Sequence, residues 1–148
     1  MAESSRMRVT IHQPQFLPWL GYLDKIDQAD LFIALDSVQF KKNEWQNRNR
    51  IRTADGCQWI TVPVLHHFGQ LVKEVRINQA VTWRSQHLRA IEMHYARAPF
   101  RDRYLPELHS LYETPWERLH DLNMAVIRWL LRAFGITTPV RCASEWEV

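Results

Sequence analysis

The sequence predicts an α/β fold in which an N-terminal βαβ unit, with a mixed or mostly parallel sheet, precedes a helical C-terminal half. Three observations lead to this class. Residues 7–12 alternate apolar and polar side chains, residues 31–36 form a continuous apolar run, and helical spacing of apolar residues dominates from Thr82 onward. A chain of 148 residues is long enough to bury one core, so we expect residues 1–148 to form a single α/β domain.

The first strand, MRVTIH at residues 7–12, is rich in β-branched types and ends before Pro14. Apolar residues then recur at three-residue steps, at Leu17, Leu20, Leu23 and Ile26. Because proline is tolerated in a first helical turn, Pro18 predicts that a helix begins near Leu17. The run LFIALD at residues 31–36 is typical of a buried parallel strand that a crossover helix connects to the first strand.

The middle of the chain predicts antiparallel strands. IRTADGCQWITVPV at residues 51–64 indicates two strands around an Asp55-Gly56 turn, and VKEVRI at residues 72–77 indicates another strand. The remainder predicts two or three helices, the last with a long apolar stripe that ends at Gly135. The prolines expected to separate these helices are Pro99, Pro106 and Pro115.

Composition excludes several classes of protein. A net charge of +3 is mildly basic, and acidic residues accompany the basic ones, so a nucleic-acid partner is not required. Cys57 and Cys142 lie outside any ligand spacing, so we predict no disulfide framework and no metal site, which fits a reducing cytoplasm. We expect no membrane span, because no apolar run is long enough. The glycines form no phosphate-binding loop.

Polar side chains follow both strands of the βαβ unit. Ligands of open α/β sheets collect outside the carboxyl ends of parallel strands, and N–H groups at a helix start favour anions such as phosphate. We therefore predict one wall of a small-molecule site, formed by His12, Gln13, Gln15, Asp36, Ser37 and Gln39. The alternative is that these residues serve the fold, with His12 capping the helix and Trp19 packing in the core.

A basic segment, KKNEWQNRNRIR at residues 41–52, follows the second strand. Guanidinium groups bind phosphate or carboxylate, amides read hydrogen-bonding edges, and an indole supplies a stacking face. This combination predicts a loop that binds a nucleotide or a sugar phosphate through Trp45, Asn47, Arg48 and Asn49. A solvated basic connection and an RNA contact are the alternatives that stay open.

Several motifs resemble those of the WbqC-like protein family. They are IHQPQFLPWLGYLDKI, ADLFIALDSVQF, WQNRNRI and WITVPV, and ASEW near Ala143 is similar to a SSEL-type segment of the family. The resemblance implies a bacterial protein associated with O-antigen (lipopolysaccharide) and other surface-polysaccharide clusters. Members usually continue beyond the equivalent of Val148, so the chain resembles an N-terminal portion that lacks the usual C-terminal segment.

The resemblance and the polar turn together favour an enzyme that modifies an amino sugar or nucleotide sugar. The placement of His12 is similar to that of the H-x-G-H motif in nucleotidyltransferases and adenylate-forming ligases, although the motif itself is absent. This suggests ATP-dependent acyl or aminoacyl transfer, with ATP and magnesium as cofactors and either a transferase or a ligase as the class. The expected catalytic residues are His12, Gln15, Lys25 and Asp36, and the expected substrate-binding residues are Gln13, Trp19, Gln39, Trp45, Asn47, Arg48 and Asn49.

Each of those residues has an expected role. His12 and Gln15 hold phosphate or polarise the leaving group, and Lys25 and Arg48 neutralise charge. Asp36 and Gln39 orient the acceptor, and Trp45 and Asn47 hold the sugar or base. A non-catalytic module that binds a nucleotide sugar or a partner enzyme is the first alternative, and an RNA-binding domain is the second. A homo-oligomer is also expected, because an apolar face meant for the absent segment would promote self-association.

Overall fold

A computed structural model describes residues 6–146 and has four helices and seven strands within them. The helices are α1 (Leu20–Asp27), α2 (Trp83–His94), α3 (Arg101–Glu113) and α4 (Leu119–Phe134). The strands are β1 (Val9–His12), β2 (Leu31–Ala34), β3 (Arg48–Thr53), β4 (Gly56–Thr61), β5 (Val64–Leu65), β6 (Arg76–Ile77) and β7 (Val140–Cys142). The predicted α/β class, with its βαβ start and helical C-terminal half, is confirmed.

The parallel sheet has the strand order β1-β2-β7, and its strands end in register. His12 pairs with Ala34, and Ala34 pairs with Cys142. The carboxyl ends of all three strands therefore lie at one edge of the sheet. β7 was not predicted, because a segment of three residues is too short to show a period and is defined only by its pairing with β2.

The predicted start of α1 near Leu17 is wrong by three residues, because the helix begins at Leu20. A residue before proline is sterically kept out of the right-handed helical region, and Leu17 precedes Pro18. Leu17 adopts a left-handed backbone with φ 45°. The Asn49 amide holds this turn by donating to the carbonyl of Leu17 at 2.6 Å. Pro18 and Trp19 thus belong to an extended entry segment.

The antiparallel elements form a second layer of structure. The hairpin predicted around Asp55 and Gly56 is confirmed as β3 and β4, and β5 pairs with β6. The strand predicted at residues 72–77 is wrong in its first half, where Val72–Glu74 forms a turn of 3₁₀ helix. Val72 and Val75 are both fully buried, and this spacing of three suits a 3₁₀ turn better than a strand.

Two buried clusters connect the layers. One joins the hairpin to the helical half and contains Phe16, Ile60, Trp83, Tyr112 and Leu122 among others. The other packs α1 and α4 against the parallel sheet through residues such as Tyr22, Phe32 and Ile127. Gly135 ends α4 with φ 69°, as predicted.

Pro106 was expected to separate helices, but it lies inside α3. An interior proline removes one backbone hydrogen bond, and burial of Leu108 and Tyr112 on the same helix offsets that loss. The breaks fall near Pro99 and Pro115 instead, as predicted.

One face of the parallel sheet is only partly covered. Val9 and Ile11 lie on it and are 46% and 49% exposed, whereas strands of parallel sheets are usually buried on both faces. None of the helices within residues 6–146 is long and apolar enough to cross a membrane.

Candidate functional site

The carboxyl edge of the parallel sheet brings together residues from three distant parts of the chain. His12 ends β1, Asp36 follows β2, and Ser144 follows β7. The backbone N–H of Leu35 donates to the carbonyl of His12 at 2.8 Å, so the segment that carries Asp36 runs beside His12. The two polar segments predicted from the sequence therefore lie at the same edge.

The His12 imidazole is half-buried and kept neutral. The Nε2 atom of Gln15 lies 3.4 Å from the Nε2 atom of His12, and the Tyr22 ring centroid lies 4.9 Å from that of His12. Burial lowers the pKa of His12, and the positive charge of Lys25 lowers it further. Lys25 is exposed and donates to the Ile11 carbonyl at 3.1 Å, directly before His12.

Two polar atoms of His12 and Gln15 are buried without a hydrogen-bond partner among the described residues. They are Nδ1 of His12 and Oε1 of Gln15. Buried polar atoms are nearly always hydrogen-bonded in folded proteins, either to the protein, to water or to a ligand. The pair therefore offers unused hydrogen-bonding capacity to a molecule that enters the carboxyl edge.

Asp36 is fully buried and belongs to a second polar group. Ser144 donates to both of its carboxylate oxygens, from its N–H at 2.9 Å and from its hydroxyl at 2.6 Å. His120, on α4, places Nε2 at 3.7 Å from Oδ2 of Asp36, and Cys142 places Sγ at 3.8 Å from the same Nε2. The sequence did not indicate His120 or Cys142, because no local spacing links them to Asp36. Ser144 lies in the ASEW segment, which was noted only for its resemblance to the family.

Burial controls the protonation of this group. It lowers the pKa of His120, and the negative charge of Asp36 offsets that effect only in part. Burial, followed by the negative charges of Asp36 and Glu145, raises the pKa of the Cys142 thiol to about 11. At neutral pH His120 is thus an uncharged imidazole, and Cys142 is a thiol.

The basic segment forms a separate cavity of about 690 Å³ beside the β3–β4 hairpin. The predicted residues that line it are Trp19, Trp45 and Asn49, and Arg50 joins them. Trp19 is 64% exposed, so it does not pack in the core. Arg48 is not among the lining residues, since its guanidinium lies 4.3 Å from the centroid of the Trp59 ring.

The other predicted substrate-binding residues are placed differently. Asn47 is buried, donates to the Val62 carbonyl at 3.1 Å and accepts from the Asn43 N–H at 3.1 Å, so its amide is used inside the protein. Gln39 is exposed and forms an isolated bridge with Leu71. Gln13 accepts a hydrogen bond from the Tyr22 hydroxyl through its carbonyl, at 3.0 Å.

Asn123, on α4, connects the loop that carries His12 and Gln15 to the basic segment that carries Trp45. It is fully buried, and its amide nitrogen lies 2.8 Å from the Gln46 carbonyl and 3.4 Å from the Pro14 carbonyl. Pro14 lies between His12 and Gln15, and Gln46 follows Trp45. No local pattern predicts this role, because an asparagine inside a helical pattern is ordinarily a surface residue.

Comparison with known proteins places the chain in a family. The model of the WbqC-like protein family matches residues 13–148. The chain is 37% identical over 143 residues to an uncharacterised protein of Mycobacterium tuberculosis, Rv1507c. That alignment covers 95% of the chain and 61% of the relative, so the chain spans less than two thirds of the relative's length. No solved structure matches. The resemblance seen in the motifs is confirmed, and the chain belongs to the WbqC-like protein family.

Proposed function

We propose that the chain binds a nucleotide or nucleotide sugar and takes part in group transfer to an amino sugar of a surface-polysaccharide precursor. The observation that supports this most is the position of His12 and Asp36 at the carboxyl ends of neighbouring parallel strands. Open α/β sheets bind their ligands at this edge. The link to polysaccharide comes from the family resemblance and is part of the proposal.

His12 is the group best suited to move a proton in this reaction. In an acyl or aminoacyl transfer from an adenylate, the amine of the acceptor attacks the acyl carbon, the bond from that carbon to AMP breaks, and the amine loses a proton. A general base must be uncharged to accept it, and the lowered pKa keeps His12 uncharged at neutral pH. The Gln15 amide N–H donates to Nε2 of His12, so this nitrogen carries the lone pair, and the acceptor amine would displace Gln15 from it. The unpartnered Oε1 of Gln15 is available to a second N–H or O–H of the acceptor. Lys25, close to His12, supplies positive charge for a phosphate.

The cavity beside the hairpin would hold the base or the sugar. Trp45 is 41% exposed and offers an indole face, and Arg50 lies 5.9 Å from the centroid of that ring. An aromatic face with an adjacent guanidinium suits a flat or phosphorylated ligand. ATP with magnesium is the expected energy source, and magnesium would arrive with the nucleotide phosphates.

Substitution of His12 tests the proposal. We expect a nucleotide or nucleotide sugar, with magnesium present, to raise the melting temperature of the wild-type chain, and His12→Ala to abolish that rise. A ligand at 100 times its Kd adds about 2.7 kcal/mol to the free energy of unfolding. The control is His67→Ala, which removes an exposed histidine from the loop after β5. The same screen on the longer relative is the second arm, and the proposal fails if neither protein is stabilised by any nucleotide.

Gly21→Ala tests the cavity without removing any of its side chains. A Cβ atom at Gly21 would overlap Cζ3 of Trp19, so the indole must leave its position. Because Trp19 is exposed and alanine suits a helix, we expect the melting temperature of the free protein to change little. Ligand affinity should fall as in Trp19→Ala, measured by calorimetric titration. Unchanged affinity in both variants would show that the indole does not contact the ligand.

A non-catalytic binding module is the second candidate function. The observation that favours it is that the hairpin cavity contains none of the residues around His12 and Asp36. A module of this kind would keep its affinity in His12→Ala, lose it in Trp45→Ala and show no turnover. RNA binding is less favoured, because a base would need an uncovered aromatic ring on which to stack, and Arg48 already covers the ring of Trp59.

A further inference from the structure

Three side chains with metal-ligating atoms meet at the carboxyl edge of the sheet. Asp36, His120 and Cys142 each direct one donor atom to a common space, and those atoms all lie within 4.8 Å of one another. They arrive from the end of β2, the start of α4 and the end of β7. We propose that Asp36, His120 and Cys142 bind a divalent transition-metal ion of the zinc class.

The spacing of the donor atoms suits a tetrahedral ion. Zinc bonds of 2.0–2.3 Å at tetrahedral angles separate two ligand atoms by about 3.3–3.6 Å. Nε2 of His120 lies 3.7 Å from Oδ2 of Asp36 and 3.8 Å from Sγ of Cys142. Each of these two distances is within a few tenths of an ångström of the required value. The oxygen of Asp36 and the sulfur of Cys142 lie within 4.8 Å of each other and would have to move closer when the ion binds.

The arrangement does not suit a catalytic triad of cysteine, histidine and aspartate. In a triad the histidine stands between its partners and uses one ring nitrogen for each. Here Asp36 and Cys142 both approach Nε2 of His120, and Nδ1 is buried without a partner among the described residues. Donor atoms that converge on one point are instead what a metal ion requires.

The chemistry of the donors selects the class of ion. Thiolate and imidazole favour zinc and similar transition metals, whereas magnesium prefers oxygen ligands. The Cys142 thiol releases its proton to solvent when its sulfur bonds to the ion, so one proton leaves for each ion bound. Ser144 donates to both oxygens of Asp36 and orients the carboxylate, as outer-shell groups do at metal sites.

Three protein ligands leave one tetrahedral position for water or substrate, which is the arrangement of catalytic zinc sites. Among the residues that the structure describes, no other histidine, cysteine, aspartate or glutamate joins these three as a fourth ligand. An ion here could polarise a phosphoryl or carbonyl oxygen at the edge of the sheet. The inference goes beyond the nucleotide proposal and does not depend on it, since metal binding can be measured with no nucleotide present.

Cobalt titration of the purified, metal-free chain tests the site. We expect one equivalent of Co²⁺ to produce the thiolate-to-metal charge-transfer absorption and the visible bands of a tetrahedral site, and Zn²⁺ to displace it. Cys142→Ser should remove the charge-transfer absorption, and His120→Ala should lower affinity by more than about 100-fold. Cys57→Ser is the matched control, because Cys57 is a free, exposed cysteine outside the cluster, and it should keep the full spectrum.

A further variant keeps the test informative if a ligand substitution prevents folding. Ser144→Ala retains all three ligands, and we expect it to weaken metal binding by about 10-fold to 100-fold. The inference is overturned if the wild-type spectrum has no thiolate band, or if the band is lost in Cys57→Ser and kept in Cys142→Ser. Loss of nucleotide binding with an intact cobalt spectrum would contradict only the proposed function.

Discussion

Replacing Asn123 with leucine is expected to lower the free energy of unfolding by about 2–5 kcal/mol, because two buried carbonyls lose their hydrogen-bond donor. The Asn123 amide lies 2.8 Å from the Gln46 carbonyl and 3.4 Å from the Pro14 carbonyl, and the side chain is fully buried. Leucine has the same branched shape but is larger, so no cavity forms, and overpacking adds to the loss from the unsatisfied carbonyls. Urea denaturation followed by circular dichroism measures it.

Two further variants make this result specific. Arg132→Leu places leucine on the exposed side of the same helix and should change stability by less than about 0.5 kcal/mol. Asn123→Asp keeps the shape but removes the N–H donor, so it should destabilise the protein as well. If Asn123→Leu costs less than about 1 kcal/mol, the two loops are held by other contacts, and Asn123 is not their main connection.

Acid is expected to destabilise the protein through His87, which is buried between the hairpin and the helices. Its Nε2 lies 3.0 Å from the Thr61 carbonyl, which can only accept, so Nε2 carries the proton and Nδ1 accepts from the Tyr112 hydroxyl at 3.1 Å. Burial lowers the pKa of His87 from 6.5 to about 4, and the hydrogen bond to Thr61 opposes the shift only in part. The folded protein thus keeps His87 neutral in mild acid.

The sign and size of the effect follow from proton linkage. Between pH 6.5 and about 4 the unfolded chain binds a proton at His87 that the folded chain does not, so stability falls as pH decreases through this range. The difference in pKa corresponds to about 3 kcal/mol once the pH is near 4. Above pH 6.5 His87 makes no pH-dependent contribution.

The measurement is the free energy of unfolding against pH for the wild type and for His87→Gln, which removes the titrating ring. Because burial also lowers the pKa values of His12 and His120, both proteins should lose stability in acid, and only the difference between them reports on His87. Tyr112→Phe keeps the imidazole and should retain the wild-type slope. Parallel curves for wild type and His87→Gln would rule out this role.

Local patterns predicted much of the fold and part of the site. The alternation before His12 and the apolar run before Asp36 were sufficient to predict a parallel βαβ unit, and chain direction then placed both residues at the same edge. The start of α1 was misplaced, because the left-handed backbone of Leu17 depends partly on the distant Asn49. Such a tertiary hydrogen bond leaves no periodic signal.

His120 and Cys142 were not predicted as site residues, because their contacts also depend on tertiary structure. His120 falls in the apolar pattern of a helix, and Cys142 falls in a strand of three residues. Neither has a neighbour in sequence that suggests its chemistry, and both acquire it only by packing against Asp36. Side chains that meet through tertiary packing are invisible to motif spacing, whereas those that follow a strand are not.

The docking of β7 beside β2 has a consequence for how the protein folds. Ser144 contacts Asp36 across 108 residues, and closing so long a loop costs more chain entropy than a local contact, so we expect it to form late. Until β7 docks, Asp36 lacks Ser144, and Cys142 is away from His120. A partly folded chain that already has its helices would therefore still lack the Asp36 cluster, and the cluster reports completion of folding in a way that helix content does not.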